Sequence, residues 1–283
     1  MTALHGGKII LQRGRTAIDL RPQKPKVASN NNQELPFQCN VCGTFCKFAG
    51  VNSLNRETPS CSFCASNVRF RSLVLGLSES LFGSALTIPE FPVRKDIRGL
   101  GLSDWEPLAK GLCDHFDYIS TYYHQEPHLD ITDVPLNKHA QYDFVISSDV
   151  FEHVSPPVQR AFNGCSLLLK PKGLLLLTVP YHLGNETDEH FPELYDWTIG
   201  NLDGLPILIN RTEDGREQVY QNLVFHGGPG QTIEMRVFGR MAIVNHLEAA
   251  GFTQIRFLDH SVPTFGVCWQ EPHSVLITAR KTY

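Results

Sequence analysis

The chain has 283 residues, 42% of them hydrophobic and 19% charged, with a formal net charge of −4. This composition is typical of a globular protein with a full core, and it excludes collagen-like, disordered and low-complexity classes for the bulk of the chain. No apolar run approaches the roughly 18 residues of a membrane-spanning helix, and no signal-peptide core opens the sequence. We therefore expect a cytoplasmic protein with no membrane partner.

Charge is distributed unevenly along the chain. Residues 1–35 hold six basic and two acidic residues, so this segment is +4 and the remaining body is −8. We expect a flexible basic tail, with contact to nucleic acid or a membrane surface as the alternative. Because an acidic body binds a phosphate backbone poorly, the charge balance argues against a nucleic-acid partner.

Four of the eight cysteines form two C-x-x-C pairs, Cys39/Cys42 and Cys61/Cys64. Without a signal peptide, two such pairs favour metal binding over disulfides. Two intervening residues let one tight turn direct both sulfurs at one ion, and four thiolates close a tetrahedral site, so we predict a structural zinc ion in a zinc ribbon over 36–68. Cys46 lies nearby and is interpreted as a small buried residue, with replacement of a ligand as the alternative.

The predicted zinc module continues into an apolar segment. Leucines recur at helical spacing over 72–82, and two prolines follow within 85–95, so residues 69–95 are predicted to be a connecting helix and linker. Arg69 and Arg71 stand where this helix begins. We interpret them as partners in structural salt bridges, with binding of an anionic ligand as the alternative.

From residue 96 onward, short apolar runs alternate with helical stretches. Helices are predicted at 103–112, 156–169 and 237–252, and strands at 97–102, 116–121, 129–132, 143–148, 173–179, 253–259 and 273–281. The alternation predicts an α/β fold over 96–283, with a Rossmann-like, doubly wound, mostly parallel sheet and helices on both faces. Such sheets bind ligands beyond the carboxyl ends of their strands, so the loops after the strands are the candidate site.

Four segments of this predicted sheet carry recognisable motifs. They are GLGLSDW at 99–105, LDITDVP at 129–135, YDFVISSDVFEHV at 142–154 and LLLKPKGLLLLTVPY at 167–181. Together they resemble the class I S-adenosylmethionine-dependent methyltransferases of the type 11 group. Two features depart from that family: Gly99 stands where an acid is expected, and the second strand has no obvious acid at its end to bind the ribose. The four-cysteine module is similar to that of zinc-bearing methyltransferases.

The resemblance implies S-adenosylmethionine as cofactor and places its site in the loops. Gly101 is expected to offer backbone N–H groups, Asp130 to accept from the adenine amino group, and the loop at Ser148 and Asp149 to face the ammonium group. Glu126 comes late for the missing ribose acid, and the resemblance leaves Thr121 or Tyr122 as its substitute. The candidate cofactor-binding residues are Gly101, Ser103, Asp104, Thr121, Asp130, Ser148 and Asp149.

A long segment with little sheet pattern, 182–235, follows the fifth strand of the family pattern. It carries ten acidic and two basic residues together with several aromatic ones. We predict an inserted cap or lid that selects a neutral or cationic small molecule, with a solvated acidic insertion over a sheet edge as the alternative. His153 and His182 are the candidate catalytic bases because imidazole titrates near neutral pH, with packed or capping histidines as the alternative.

These observations predict a methyltransferase that acts on an oxygen or nitrogen atom of a small molecule, such as one of secondary metabolism, with a structural zinc ion. Two alternatives stay open: an RNA methyltransferase whose zinc module binds RNA, and a non-catalytic scaffold that acts through its zinc ribbon and whose domain either binds the cofactor or is degenerate. The sequence leaves the oligomeric state open.

Overall fold

The computed structural model describes residues 36–46, 54–226 and 232–283. The predicted flexible tail at 1–35 lies outside the described residues. The helices are α1 (Val68–Phe82), α2 (Glu106–His115), α3 (Gln159–Leu168) and α4 (Arg240–Ala249). The strands are β1 (Phe37–Gln38), β2 (Phe45–Cys46), β3 (Arg94–Leu102), β4 (Phe116–Thr121), β5 (Tyr142–Ser148), β6 (Leu169–Thr178), β7 (Tyr181–His182), β8 (Asp188–Glu189), β9 (Asp196–Leu202), β10 (Leu205–Arg211), β11 (Glu217–Tyr220), β12 (Phe225–His226), β13 (Thr232–Ile233), β14 (Arg236–Gly239), β15 (Phe252–Leu258) and β16 (Leu276–Lys281).

A six-stranded sheet organises the main unit, with strand order β15-β16-β6-β5-β3-β4. Strands β4, β3, β5 and β6 pair in parallel, whereas β16 is antiparallel to both β6 and β15. This mixed sheet supports the predicted Rossmann-like α/β class. The four parallel strands end at the same edge, where the candidate loops follow.

Successive residues of the central strands point to opposite faces of the sheet and enter two separate cores. Phe144, Leu174 and Leu176 pack with residues of α1 and α2. Val145 and Leu175 pack with residues of α3 and α4. Helices therefore cover both faces, as the near-continuous apolar runs of β5 and β6 predict.

The predicted strand at 129–132 is not formed. A single parallel bridge joins Tyr122 to His128, and no strand follows it. Asp130 Oδ1 accepts hydrogen bonds from the backbone nitrogen and the hydroxyl of Thr132, both at 2.8 Å. This local turn uses a backbone N–H that a strand would donate to its neighbour, so the apolar run of Leu129 and Ile131 is buried without joining the sheet.

Helix α1 begins at Val68, one residue before the predicted connecting helix and four residues before the apolar pattern at 72–82. The Asn67 side chain caps it by accepting a hydrogen bond from Phe70 N at 3.0 Å, and Gly83 ends it in a left-handed conformation with φ 69°. The first polar turn, which carries Arg69 and Arg71, was not counted in the apolar pattern. The helix is therefore tied directly to the second cysteine pair through Asn67.

Residues Glu189–Arg236 form a second compact unit, in which 227–231 are not described. Strands β9, β10 and β11 make an antiparallel sheet here, and Phe191, Leu208, Ile233 and Met235 form a small core. The expectation of little sheet structure is wrong, because these strands are exposed on much of both faces and so lack clear alternation. The domain boundaries proposed from the sequence stay a prediction. No helix in the described parts of the chain is long and apolar enough to cross a membrane.

Candidate active site and metal centre

The two cysteine pairs fold into matching turns. In each turn, the residue after the second cysteine has a positive φ and donates its N–H to the carbonyl of the first cysteine. Gly43 (φ 77°) donates to Cys39 O at 2.7 Å, and Ala65 (φ 60°) donates to Cys61 O at 3.0 Å. Both turns thus direct two sulfurs to the same side.

The four sulfur atoms converge on one point. All lie within 4.8 Å of one another, with Cys39 Sγ 3.6 Å from Cys64 Sγ and Cys42 Sγ 3.7 Å from Cys61 Sγ. A tetrahedral zinc ion with bonds of about 2.3 Å has sulfur atoms about 3.8 Å apart, so the cluster fits zinc. Contact with Cys64 and burial raise the pKa of the Cys39 thiol to about 12. If all four sulfurs were thiolates at this spacing, they would repel one another, and a cation between them would offset that repulsion.

Arg71 lies against this cluster and is fully buried. Its guanidinium donates to Ser66 O at 2.7 Å, to Ser60 Oγ at 2.8 Å and to Gly266 O at 2.9 Å, and it lies over the ring of Phe37. Burial lowers the pKa of Arg71, and the neighbouring cysteines oppose that change. A positive charge held here would offset the negative charge of four thiolates around a metal ion.

The loop after β3 brings Gly101 and Asp104 together with Tyr118 of β4. A side chain at position 101 would overlap Asp104 Oδ2 and the Tyr118 hydroxyl, so only glycine fits. Tyr118 donates to Asp104 Oδ2 at 2.6 Å. Ser103 (φ 55°) donates its N–H to Thr121 O at 2.7 Å, and the Thr121 hydroxyl donates to Gly101 O at 2.9 Å. The structure thus clusters four of the seven candidate cofactor residues.

Asp104 is the electrostatically unusual group of this cluster. It is buried, and its Oδ1 atom has no hydrogen-bond partner among the residues that the structure describes. Burial raises the pKa of Asp104 to about 6, although hydrogen bonds from Tyr118 and Ser120 oppose the change. An unpaired buried carboxylate oxygen costs free energy unless a donor or cation reaches it.

Gly99 has a steric reason for replacing the acid of the family pattern. A side chain at this position would overlap the rings of Phe144 and Tyr118, which stack with centroids 5.7 Å apart. We expect Gly99→Ala to lower the free energy of unfolding by about 1–3 kcal/mol, because overpacking displaces these rings. Urea denaturation of both proteins measures the difference. Gly111→Ala on α2, where the nearest atom would lie 3.1 Å away, is the milder control, and equal stability of Gly99→Ala and wild type would contradict this account.

The loop after β5 is held by arginines of the cysteine module. Arg56 binds Asp149 through two hydrogen bonds, from Nη2 to Oδ1 at 2.5 Å and from Nη1 to Oδ2 at 2.9 Å. Arg69 lies 3.2 Å from Asp149 Oδ2 and donates to Ser148 Oγ at 2.6 Å. Burial alone would raise the pKa of Asp149, but the charges of Arg56 and Arg69 hold it below its ordinary value. The Asp149 carboxylate is therefore already engaged by protein groups.

Glu152 follows in the same loop, within a short 3₁₀ turn at Phe151–His153. Its side chain is completely buried, and neither oxygen accepts a hydrogen bond from another residue in the described part of the chain. Burial, and then the charge of Asp149, raises the pKa of Glu152 well above its ordinary value. This carboxyl group therefore favours its protonated form.

The two candidate bases occupy different loops. His153 Nε2 lies 3.8 Å from Glu152 Oε1 in the loop after β5. His182 follows β6, accepts a hydrogen bond from Gly184 N at 3.0 Å and lies 3.4 Å from Asp188 Oδ2. The catalytic assignment of both residues stays a prediction, as does the assignment of Asp130, whose Oδ1 is engaged by Thr132.

Three residues of this region were not assigned to the site from the sequence. Arg56 lacks a local motif, and Tyr118 is one of several aromatic residues in a strand. Glu152 lies in the motif YDFVISSDVFEHV but is not among the candidate site residues. A usable signal exists for Glu152 alone, because it stands within the motif that follows the fourth strand of the family pattern.

The acids of the second unit are partly neutralised within it. Arg216 pairs with Glu193 and Asp214 at 2.6 and 2.8 Å, and Arg236 pairs with Glu189 at 2.8 Å. Glu234 lies 3.0 Å from His190 Nε2 and 3.1 Å from His226 Nε2. The two arginines thus pair with acids of the same unit, which reduces the negative charge available to a ligand.

A family model described as a methyltransferase domain matches residues 118–177, which extend from β4 to β6. No curated protein sequence matches the chain. This match, over 60 of the 283 residues, supports the predicted enzyme class, an S-adenosylmethionine-dependent methyltransferase.

Solved structures of several methyltransferases are similar to the chain. The sugar N-methyltransferase KedS8 from Streptoalloteichus sp. is 12% identical, with 76% of this chain and 87% of that chain covered and a TM-score of 0.44. The amino pentose methyltransferase CalS10 from Micromonospora echinaspora is 12% identical, with 77% and 92% covered and a TM-score of 0.42. The 1,6-didemethyltoxoflavin-N1-methyltransferase from Burkholderia thailandensis is 13% identical, with 75% and 79% covered and a TM-score of 0.39. At TM-scores below 0.5, these similarities do not specify a substrate.

Proposed function

We propose that this methyltransferase transfers a methyl group to an oxygen or nitrogen atom of a small molecule, and that its cysteine module holds a structural zinc ion. The observation that carries the proposal is the cluster of Gly101, Asp104 and Thr121 at the carboxyl edge of the parallel strands. This edge is where sheets of this class bind their ligands.

The fit of S-adenosylmethionine to this edge rests on two features of the chain. Asp104 Oδ1 is buried without a partner among the described residues, and Gly101 has no side chain, so Asp104 Oδ2 and the Tyr118 hydroxyl can lie against its Cα. When bound, the cofactor supplies a methyl group activated by a positively charged sulfur. The chain itself binds and orients the cofactor and the acceptor, and it excludes water from them.

Asp104 is better suited than Asp149 to receive a donor of the cofactor. Both oxygens of Asp149 are bonded to Arg56, whereas one oxygen of Asp104 is available. We assign to Asp104 the acceptor role that the missing strand acids would play for an ammonium group or a ribose hydroxyl. Asp130 keeps its proposed role at the adenine.

A small-molecule acceptor is supported by the charge of 182–235, which is −8 by composition. Even after internal pairing, an acidic segment favours neutral or cationic molecules over nucleic acid. His182 and His153 are the proposed bases for an acceptor that starts protonated. A drop in turnover of His182→Ala, at unchanged cofactor affinity, would support His182 in this role.

Binding calorimetry with S-adenosylmethionine and S-adenosylhomocysteine tests the proposal first. We expect one site per chain with a dissociation constant in the micromolar range, roughly −8 kcal/mol of binding free energy. Formation of S-adenosylhomocysteine in the presence of a panel of amines, alcohols and RNA then distinguishes the acceptors. Absence of cofactor binding would favour the scaffold alternative without the cofactor, and methylation of RNA alone would overturn the small-molecule acceptor.

A further inference from the structure

Residues 54–58 connect the cysteine module to the edge of the sheet. They precede the second cysteine pair and lie beside the start of α1, where Val68 N donates to Asn55 O at 3.4 Å and Arg69 N donates to Arg56 O at 3.3 Å. The side chain of Asn67, the cap of α1, donates to Glu57 O at 3.2 Å. The backbone of Arg56 is therefore fixed to the same short segment that follows Cys64.

The side chain of Arg56 reaches away from the cysteines. Its Nε donates to Ser274 O at 2.7 Å, in the segment just before β16, and its two terminal nitrogens bind Asp149. Arg69 adds a second guanidinium to Asp149 and a hydrogen bond to Ser148. Glu57 pairs with both arginines from the solvent side.

Asp149 needs this support for two reasons. It has a positive φ of 53°, which is unfavourable for a residue with a side chain, and its side chain is only 16% exposed. Thr178 Oγ1 also donates to Asp149 Oδ1 at 3.0 Å, so the loop after β5 is bonded to the end of β6. Without its arginines, a buried carboxylate in a strained loop would be uncompensated.

None of these contacts is needed to bring the four sulfurs together. The turns around the cysteines close through their own backbone hydrogen bonds, and Arg71 supplies the neighbouring positive charge. Arg56 and Arg69 instead contact Asp149, which lies 93 residues after Arg56 and 80 residues after Arg69 in the chain. Their position therefore points to the loop and not to the metal.

We propose that metal binding by the cysteine module positions the loop at Ser148 and Asp149 through Arg56 and Arg69, and so sets the affinity of the enzyme for its cofactor. This inference rests on the proposed function for its second half. Arg56 and Arg69 are positioning residues in it, because they act on the cofactor through the loop.

Zinc binding and cofactor binding are thermodynamically coupled if both depend on the position of this loop. If zinc strengthens cofactor binding by some factor, the cofactor must strengthen zinc binding by the same factor. Coupled sites typically differ by about 5- to 150-fold, so we expect S-adenosylhomocysteine to lower the dissociation constant of zinc within that range. Competition with a zinc chelator measures it on the full chain without any turnover.

Amide hydrogen exchange of residues 148–154 measures the loop independently of the cofactor. We expect exchange there to increase when a chelator removes zinc from the wild type. In the double variant Arg56→Met with Arg69→Met, exchange should be fast with or without zinc, and S-adenosylhomocysteine should leave the zinc affinity unchanged. Arg98→Gln, which removes a surface pair with Asp117 at 2.9 Å, is the matched control and should behave as wild type.

The outcomes separate this inference from the proposed function. Unchanged exchange of 148–154 on zinc removal overturns the inference whether or not the cofactor binds, and so does an equal zinc affinity with and without bound S-adenosylhomocysteine. Failure of S-adenosylhomocysteine to bind the zinc-loaded wild type overturns the proposed function and the cofactor half of the inference. Should the double variant not fold, Arg69→Lys keeps both positive charges but lacks the guanidinium that bonds Ser148 and Asp149 together, and it should give an intermediate shift in zinc affinity.

Discussion

Asp104→Asn should weaken S-adenosylmethionine binding and yet make the cofactor-free protein more stable at neutral pH. Burial, opposed by Tyr118 and Ser120, raises the pKa of Asp104 to about 6, whereas an aspartate in the unfolded chain keeps its ordinary value of 3.8. Between these two values the folded protein binds more protons than the unfolded chain. The free energy of unfolding therefore falls as pH rises from about 4 to about 6, and the penalty is constant above that.

A pKa difference of about two units corresponds to a cost of roughly 3 kcal/mol for ionising Asp104 in the folded protein at neutral pH, and asparagine does not have this cost. Burying the asparagine amide has a smaller cost of its own, so we expect Asp104→Asn to be more stable than wild type by about 1–3 kcal/mol at pH 7.5. The difference should shrink towards pH 4. Urea denaturation at a series of pH values measures it, and a gain that does not depend on pH would contradict the ionisation account.

The same substitution should cost about 1–3 kcal/mol of cofactor binding, or roughly 5- to 150-fold, because a hydrogen bond to a charged acceptor is lost. Calorimetry with S-adenosylmethionine measures the loss. Asp133→Asn is the matched control, since Asp133 is exposed in the loop after Asp130. Wild-type affinity in Asp104→Asn would show that Asp104 does not contact the cofactor.

Cys61→Ser should abolish zinc binding and strongly destabilise the protein. We expect about one zinc ion per wild-type chain by elemental analysis and none in the variant. An ion present at a thousand times its dissociation constant stabilises the folded state by about 4 kcal/mol, and that contribution is lost with the ligand. The buried charge of Arg71 adds to the loss, because its compensating thiolates are no longer held.

Two further cysteine variants serve as controls for this prediction. Cys46→Ser tests the residue that lies beside the ligand set, and Cys113→Ser tests an exposed cysteine outside it. Both should retain zinc, and Cys113→Ser should also retain full stability. Zinc-free wild type purified without chelator would rule out the metal, and zinc loss from Cys46→Ser would change the ligand set.

The sequence predicts elements well where the apolar pattern is strong and local. β4 has the predicted bounds, and β5 and β6 follow from continuous buried runs such as Leu174–Leu177. The strands β9 to β11 were missed because their residues are exposed on much of both faces. Leu129 and Ile131 predict a strand that does not form, because the turn at Asp130 outweighs the strand preference of these two residues.

For the candidate site too, the sequence predicts only what is encoded in local patterns. The two C-x-x-C pairs and Gly101 can be identified from the sequence because the spacing of cysteines and the small size of glycine are local properties. The raised pKa of Asp104 depends on how deeply its loop is buried, and the pairing of Arg56 with Asp149 joins distant segments. Neither can be read from a single sequence, because both arise from three-dimensional contacts that leave no periodic pattern.

The position of β16 has a consequence for the order of assembly during synthesis. This strand lies between β6 and β15 and is made after both of them, so β15 has no partner in the sheet until residues 276–281 have left the ribosome. Before then, the apolar edge of β6 is unpaired and open to other nascent chains. A chaperone that covers this edge, or a slow stretch of translation before β16, would therefore change the yield of native protein without altering its final stability.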